Sequence, residues 1–180
     1  MKIITNDKLI QRNKKIGQAA TVSSLAILGA GLYISFAQPQ QIALAYVALL
    51  VGFVLSQIGI YFGNNWGRSP RPDEVIDTAL KGLDDRYSVY HYTSPVPHLL
   101  VGPVGIWAIL PYRQKGTFTF EKNRYRQKGG SFYLKVFAQE GLGRPELEAE
   151  NQKKALEKAL SKDLPEGTPL PPVNALLLFS

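Results

Sequence analysis

The feature that most constrains this chain is a long uncharged stretch near its start. No Asp, Glu, Lys or Arg occurs from Ile16 to Gly67, a run far longer than the core helix of a soluble domain. The run divides into two apolar halves, residues 16–37 and 42–63, around the polar sequence QPQQ. Each half exceeds the ~20 apolar residues that cross a bilayer core. The sequence therefore predicts a hairpin of two transmembrane helices.

A cleaved signal peptide is the alternative interpretation of the first half. The apolar region of a signal peptide is shorter, roughly 7 to 15 residues, and no second span follows it at once. The length of residues 16–37 and the second apolar half at 42–63 favour two spans.

Cations flank the predicted hairpin on both outer sides and are absent from its loop. Residues 1–15 form a predicted basic tail, and two arginines follow the second span; these cations are Lys2, Lys8, Arg12, Lys14, Lys15, Arg68 and Arg71. Because cytoplasmic flanks of membrane helices are rich in Lys and Arg, both termini are expected in the cytoplasm, at the cytoplasmic (inner) membrane. The absence of cysteine agrees with a reducing compartment.

Small side chains recur on both predicted spans. They would let the two helix backbones approach closely in lipid, and they are Ala19, Ser23, Ala26, Ala30, Ala45, Gly52 and Ser56. Neither span contains an ionisable group, so the sequence offers no proton relay or ion path. The hairpin is expected to anchor the chain and to close on itself.

The remaining residues, 68–180, have the composition of a cytosolic α/β domain. Periodicity and turn residues predict the order α-β-β-β-(β)-α-β. The predicted elements are a helix within 69–83, a strand at 86–94, a hairpin at 98–110 with a type I turn at 102–105, a strand at 116–122, an exposed turn at 123–130, a strand at 131–137, a helix at 145–162 and a buried central strand at 174–179. Since chains rarely end on a central strand, the sequence is expected to be truncated at its C-terminal edge.

Several signatures in this order resemble the nuclease-related domain (NERD) family, a branch of the PD-(D/E)xK nuclease fold. The resemblance runs from about residue 71 to the end and rests on PHLLVGPVG, IWAILPYRQKG, the helix sequence PELEA and the strand sequence PPVNALLLF. An acidic residue on the family's first helix could correspond to Glu74. The resemblance implies a PD-(D/E)xK nuclease-like core.

The positions that carry the family's chemistry are where this sequence departs from it. The family's Asp, Glu, Lys and helix Gln fall on Pro97, Leu110, Tyr112 and Glu148. Residues two apart on a strand share a face, so the family pattern sets a carboxylate beside an ammonium. Mg²⁺ requires oxygen ligands, and leucine and proline supply none. No catalytic residue, metal or other cofactor is therefore expected at these degenerate positions.

Carboxylates elsewhere leave one enzymatic alternative open. Glu74 and Glu148 are the candidate displaced acids, and together they could form a weak Mg²⁺ site for a nuclease. The two histidines are expected to hydrogen-bond within the fold, because the chain lacks cysteine and a His-x-x-x-His spacing.

Basic residues interleaved with aromatic ones follow the predicted hairpin. The candidate contact residues are Arg113, Lys115, Lys122, Arg124, Arg126 and Lys128. Three interpretations stay open: a solvated turn, a surface for anionic lipid head groups, and a surface for nucleic acid. The formal net charge of +7 does not separate them, because the basic tail supplies much of it.

The leading functional hypothesis is a membrane-anchored, NERD-like domain with degenerate catalytic positions. It would bind or scaffold a partner at the cytoplasmic face without acting as an enzyme. Its expected partners are the lipid bilayer, with anionic head groups or nucleic acid, a membrane protein or a second copy of the chain as further candidates. The alternatives are a Mg²⁺-dependent nuclease and a small accessory subunit of a larger membrane complex.

Overall fold

A computed structural model of the chain resolves two compact units. It describes residues 1–114, 116–122, 124–129, 142–165 and 168–179. Residues Asp7–Arg71 form a hairpin unit, whereas Met1–Asn6 and the described residues from Pro72 onward form an α/β unit. Two long apolar helices, a mixed sheet and a further helix thus follow the predicted general order.

The hairpin unit consists of two long helices. Helix α1 spans Asp7–Ala37, a 3₁₀ turn covers Pro39–Gln41, and α2 spans Ile42–Phe62 before a π-helical turn at Gly63–Gly67. In the part of the chain that the structure describes, both helices are long and apolar enough to cross a membrane. Their C-terminal ends agree with the predicted spans to within one residue. Helix α1 begins earlier, at Asp7, where an acidic side chain suits the helix dipole.

Glycines bring the two helices of the hairpin into close contact. A Cβ added to Gly59 would lie 2.5 Å from Oγ1 of Thr21, and one added to Gly52 would lie 2.6 Å from Cγ of Leu28. Gly31 makes a similar approach to the backbone oxygen of Ala45. Close backbone approach of this kind is how small residues pack helices in lipid.

The small-residue stripe predicted on the first helix was wrong. The buried small residues of α1 are Gly17, Ala20, Ser24 and Gly31, whereas the predicted Ala19, Ser23, Ala26 and Ala30 are exposed. The predicted and the observed sets of small residues both have helical spacing, and the close contacts made by the glycines determine which set packs against α2. On α2 the predicted Ala45 and Gly52 are buried as expected. Large apolar side chains point outward, including Val22 at 67% and Phe36 at 79% exposure.

The α/β unit contains a five-stranded sheet and a separate two-stranded ribbon within the described residues. The strands are β1 Lys2–Thr5, β2 Ser88–His91, β3 His98–Gly102, β4 Gly105–Tyr112, β5 Thr117–Glu121, β6 Arg124–Lys128 and β7 Val173–Phe179; the helices are α3 Pro72–Ala79 and α4 Pro145–Asp163. The order of strands in the five-stranded sheet is β1-β2-β3-β4-β7. Strand β1 pairs with β2 and β4 with β7 in parallel, and the other pairs are antiparallel.

Strand β1 changes the interpretation of residues 1–15 as a basic tail. Lys2–Thr5 pairs in parallel with β2, and the Met1 amino group lies 2.8 Å from the Asp85 carboxylate. The Asn6 backbone N–H donates to the carbonyl oxygen of His91 at 3.0 Å. The first six residues therefore belong to the sheet, and the other nine begin α1. The short sequence KIIT supplies the β-branched residues that favour a strand.

The two faces of the sheet carry separate apolar clusters. Successive residues of β4 alternate between them, so Ile109 packs with Ile76 of α3 while Leu110 packs with Leu156 of α4. Helices α3 and α4 therefore lie on opposite faces of the sheet.

Two predictions for the later strands were wrong. The turn expected at 123–130 contains β6, because alternate residues of Arg124–Lys128 point to opposite faces and match a ribbon with one solvated side. The strand at 174–179 is not central: among the described residues β7 pairs only with β4, and Leu176 is 41% exposed. The strand expected at 131–137 lies outside the described residues.

The turn between β3 and β4 requires glycine at its end. Gly102 pairs with Gly105, so two residues form the loop, and Gly105 has φ of 133°. A Cβ at Gly105 would also lie 2.8 Å from the carbonyl oxygen of Pro172. Backbone strain and this steric contact both oppose a larger residue.

We expect Gly105→Ala to lower the free energy of unfolding by about 2 kcal/mol, measured by urea unfolding in detergent. Gly82→Ala is the matched control, because Gly82 also has positive φ, of 111°, but no atom within 4 Å of an added Cβ. A loss no greater than that of the control would show that the Pro172 contact costs nothing.

Candidate functional site

Three of the four degenerate positions meet on the α4 face of the sheet. Leu110 is 2% exposed and belongs to an apolar cluster with Val96, Ala108, Leu142, Leu156 and Val173. Two residues further along β4, the Tyr112 hydroxyl donates a hydrogen bond to Oε2 of Glu148 at 2.6 Å. The place where the resembled family would hold a metal is here filled by hydrocarbon beside one tyrosine–glutamate hydrogen bond.

The environment of Tyr112 keeps its phenol neutral. Burial raises the pKa of Tyr112 well above its ordinary value, and the hydrogen bond to Glu148 raises it further. Its ring stacks on Phe179 with the centroids 5.3 Å apart. Tyr112 therefore serves as a hydrogen-bond donor that holds α4 on the sheet, and it supplies no anionic oxygen.

The remaining predicted positions lie elsewhere. Pro97 is exposed and immediately precedes β3. Glu74 belongs to α3, and Glu148 belongs to α4 on the opposite face of the sheet. The structure therefore does not bring the two candidate displaced acids together.

A buried polar chain on the α3 face was missed by the prediction of catalytic positions. Nε2 of His91 lies 2.9 Å from Oδ1 of Asp77, and Nδ1 of His91 lies 2.9 Å from Nδ1 of His98. His91 and His98 are 0% and 3% exposed. Both histidines hydrogen-bond within the fold, as the sequence predicted, but to each other and to α3.

The surroundings of His98 favour the neutral form of its imidazole ring. Burial and, to a smaller extent, the neighbouring His91 lower the pKa of His98 to about 3, with the buried Asp73 opposing the shift. In a bond between two Nδ1 atoms one ring donates and the other accepts, so the pair needs at least one neutral ring.

The residues of this buried polar chain could be predicted from their spacing in the sequence. Asp73 and Asp77 are four apart on α3 and so share a helix face, while His91 and His98 pair across β2 and β3. Within the described residues no group of three or more His, Cys, Asp or Glu is arranged to hold a metal ion. The arrangement joins α3 to the sheet through the contact between Asp77 and His91.

The cationic ribbon, defined as β5 and β6, sorts its charged and aromatic residues onto opposite faces. Arg124, Arg126 and Lys128 alternate on an exposed face, whereas Tyr125 between them is half-buried. Tyr125 packs against Phe179 of β7, with ring centroids 5.8 Å apart. Among the described aromatic residues of the ribbon, Phe118, Phe120 and Tyr125 thus lie on the other face from these cations, and Phe120 is 57% exposed there.

The other predicted cations surround this face less regularly. Glu121 pairs with Arg124 across the ribbon, Lys122 occupies the turn with φ of 51°, and Arg113 follows β4 and is half-buried. Lys115 lies outside the described residues. Successive cations on β6 are about 7 Å apart, as alternate strand residues are.

Comparison with known proteins identifies no relative. No family model, no curated protein and no solved structure matches the chain. The resemblance to the NERD family therefore stays a prediction from its local signatures.

Proposed function

We propose that this protein is a membrane-anchored, non-enzymatic binding module, whose α/β domain is held at the cytoplasmic face of the membrane by the hairpin. The observation that carries the proposal is that β1, Lys2–Thr5, shares a sheet with strands that follow the hairpin. A single sheet lies on one side of a bilayer, so two spans inserted between its strands enter and leave on that side. The cations at both flanks favour the cytoplasm.

The filled α4 face supports a binding role over catalysis. Leu110 is enclosed by apolar side chains, and Tyr112 is hydrogen-bonded to Glu148. We therefore propose that the domain is a degenerate relative of the NERD type, with its nuclease face converted into core.

The cationic ribbon is the surface that we propose binds a partner, and that partner is anionic lipid. Its cations lie in a row on an exposed face, where they can meet phosphate groups. Surfaces that bind single-stranded nucleic acid place exposed aromatic residues beside their cations for base stacking. Here the exposed aromatic Phe120 lies on the opposite face of the ribbon from the cations, as does Tyr125. Each cation near an anionic membrane contributes about 1 kcal/mol, and anchoring by the hairpin keeps head groups at a high effective concentration.

The test places one probe beside these cations. The chain has no cysteine, so Thr117→Cys, on an exposed ribbon position paired with Lys128, takes a single environment-sensitive dye. After reconstitution into vesicles, we expect its emission to shift as phosphatidylglycerol replaces phosphatidylcholine, and salt to reverse the shift. Changing Arg124, Arg126 and Lys128 to Gln should abolish the shift.

A variant of equal net charge is the control. Changing the exposed Lys153, Lys158 and Lys162 of α4 to Gln should leave the shift intact. Loss of the shift in both variants would indicate a general charge effect and contradict the ribbon proposal. Double-stranded DNA that competes with the vesicles for the ribbon would assign it to nucleic acid. Release of the full chain by an alkaline wash would contradict the anchor itself.

A further inference from the structure

A groove lies at the end of the hairpin unit where α1 begins and α2 ends. Its volume is about 450 Å³. Gly17 and Thr21 of α1, and Gly59 and Gly63 at the end of α2, are among its lining residues, together with two cations, Lys14 and Arg68.

The glycines of this groove have two different roles. A Cβ on Gly17 would lie 2.8 Å from Cβ of Phe62, and one on Gly59 would meet Thr21, so these two glycines allow the helices to touch. Gly63 and Gly67 have no atom within 4 Å of an added Cβ. Gly63 also has helical φ and ψ of −60° and −46°, which any residue can adopt. Glycine there leaves space that a side chain would fill.

The two charged residues that line the groove are both cations. Between Lys8 and Pro72 the sequence contains no Asp or Glu, and the one acidic residue of Asp7–Arg71 is Asp7 itself. Asp7 lies two helical turns, about 10 Å, before Lys14 on α1. Lys14 is exposed, and its charge is not balanced by a carboxylate within the hairpin unit.

Aromatic residues lie at the same end of the hairpin unit. Tyr61, Phe62 and Trp66 contact one another, with ring centroids 5.1 to 5.8 Å apart. Tyr and Trp concentrate at the level of the lipid head groups, where an apolar ring can keep a polar edge in water. The cations of the groove are thus at the depth of lipid phosphates if α2 spans a bilayer.

We infer that this groove binds one anionic phospholipid, with its phosphate against Lys14 and Arg68 and an acyl chain along the glycine-lined wall. The inference rests on the proposed function, in which the hairpin crosses a membrane. Cation–phosphate contacts in a partly apolar site are stronger than in water, because charge-assisted hydrogen bonds gain from reduced solvation. A zwitterionic lipid would bring its own cation to the same place, so the groove should discriminate against it.

Quenching of Trp66 fluorescence by brominated lipid tests the inference. The full chain carrying Trp107→Phe is reconstituted in phosphatidylcholine vesicles with a minor fraction of brominated phosphatidylglycerol. We expect at least threefold more quenching per brominated lipid than with brominated phosphatidylcholine. Changing Lys14 and Arg68 to Gln should remove this preference. Gly63→Leu, whose added Cβ would have no atom within 4 Å and whose side chain would occupy the groove, should do the same.

Gly29→Leu is the matched control, because Gly29 is exposed on α1 with no atom within 4 Å of an added Cβ and does not line the groove. It should keep the preference. Equal quenching by the two brominated lipids in the unsubstituted hairpin would overturn the inference. Persistence of the preference for phosphatidylglycerol in the Gly63→Leu variant would also overturn it. Flotation with the vesicles is measured on the same samples, so failure of the anchor appears as loss of flotation, whereas failure of the lipid site leaves flotation intact. If Gly63→Leu does not float, the charge variants decide.

Discussion

Acidification from pH 7 to pH 5 is expected to lower the free energy of unfolding of the α/β unit by about 2 kcal/mol, through His98 alone. Burial lowers the pKa of His98 in the folded chain to about 3, against 6.5 when it is exposed. Between these values the unfolded chain binds a proton that the folded chain does not. The stabilising contribution of neutral His98 is therefore complete above pH 6.5 and is lost progressively as the pH falls toward 3, by about 1.4 kcal/mol per pH unit.

The charged and titratable groups around His98 determine how the free energy of unfolding depends on pH. Nδ1 of His91 shares a hydrogen bond with Nδ1 of His98, and Nε2 of His91 lies against the Asp77 carboxylate. The buried Asp73 favours the protonated form of His98. Protonation of both histidines would place two N–H groups against each other. The response is thus expected to release α3 from the sheet first, since Asp73 and Asp77 belong to it.

Urea unfolding followed by Trp107 fluorescence in a Trp66→Phe background measures this effect. The slope of stability against pH between 6.5 and 4 is the readout, and His98→Gln should flatten it even if the variant is less stable at pH 7. Asp84→Asn is the control: the hydrogen bond from Arg86 lowers the pKa of this exposed carboxyl, so the variant should change the slope only near pH 4 and leave it unchanged between pH 6.5 and 5. An unaltered slope in His98→Gln would show that other groups carry the acid response.

Most of the fold could be predicted because its signals are local. The two spans follow from an uncharged run, α4 from Pro145 and its helical periodicity, and the β3–β4 hairpin from glycines at 102 and 105. The misassigned elements depend on partners far along the chain. Lys2–Thr5 carries too little pattern to distinguish a strand from a tail, and its pairing with β2 crosses the whole hairpin. Arg124–Lys128 resembles a turn in composition, and its alternation becomes informative only once Tyr125 has Phe179 to pack against.

In the candidate site, too, local signals could be predicted from the sequence and long-range placement could not. Local signatures placed Leu110, Tyr112 and Glu148 together, and the structure brings them to one face, where Tyr112 binds Glu148. The signatures could not show that the polar chain through His91 and His98 lies on the other face, because that depends on how α3 and α4 divide between the two sides of the sheet.

Leu110→Glu, which restores the carboxylate of the resembled family, is expected to lower the free energy of unfolding at pH 7 by about 3–5 kcal/mol. The side chain would enter a cluster of apolar side chains that includes Val96, Ala108 and Leu156. Burial should raise the pKa of the new carboxyl above its exposed value, so the loss should grow as the pH rises through that value.

Two further variants separate the causes. Leu110→Met conserves volume and should cost less than about 1.5 kcal/mol, and Leu110→Gln carries the shape of Glu without its charge. A vestigial but usable metal site would behave differently: in the double variant Leu110→Glu, Tyr112→Lys, Mg²⁺ would restore stability by binding only the folded chain. We expect no such restoration, because the apolar cluster around position 110 leaves no room for the waters that Mg²⁺ keeps, and the new lysine would pair with Glu148. Stabilisation of the double variant by Mg²⁺ would show that the α4 face still has room for the ion, and the degenerate-site proposal would then be wrong.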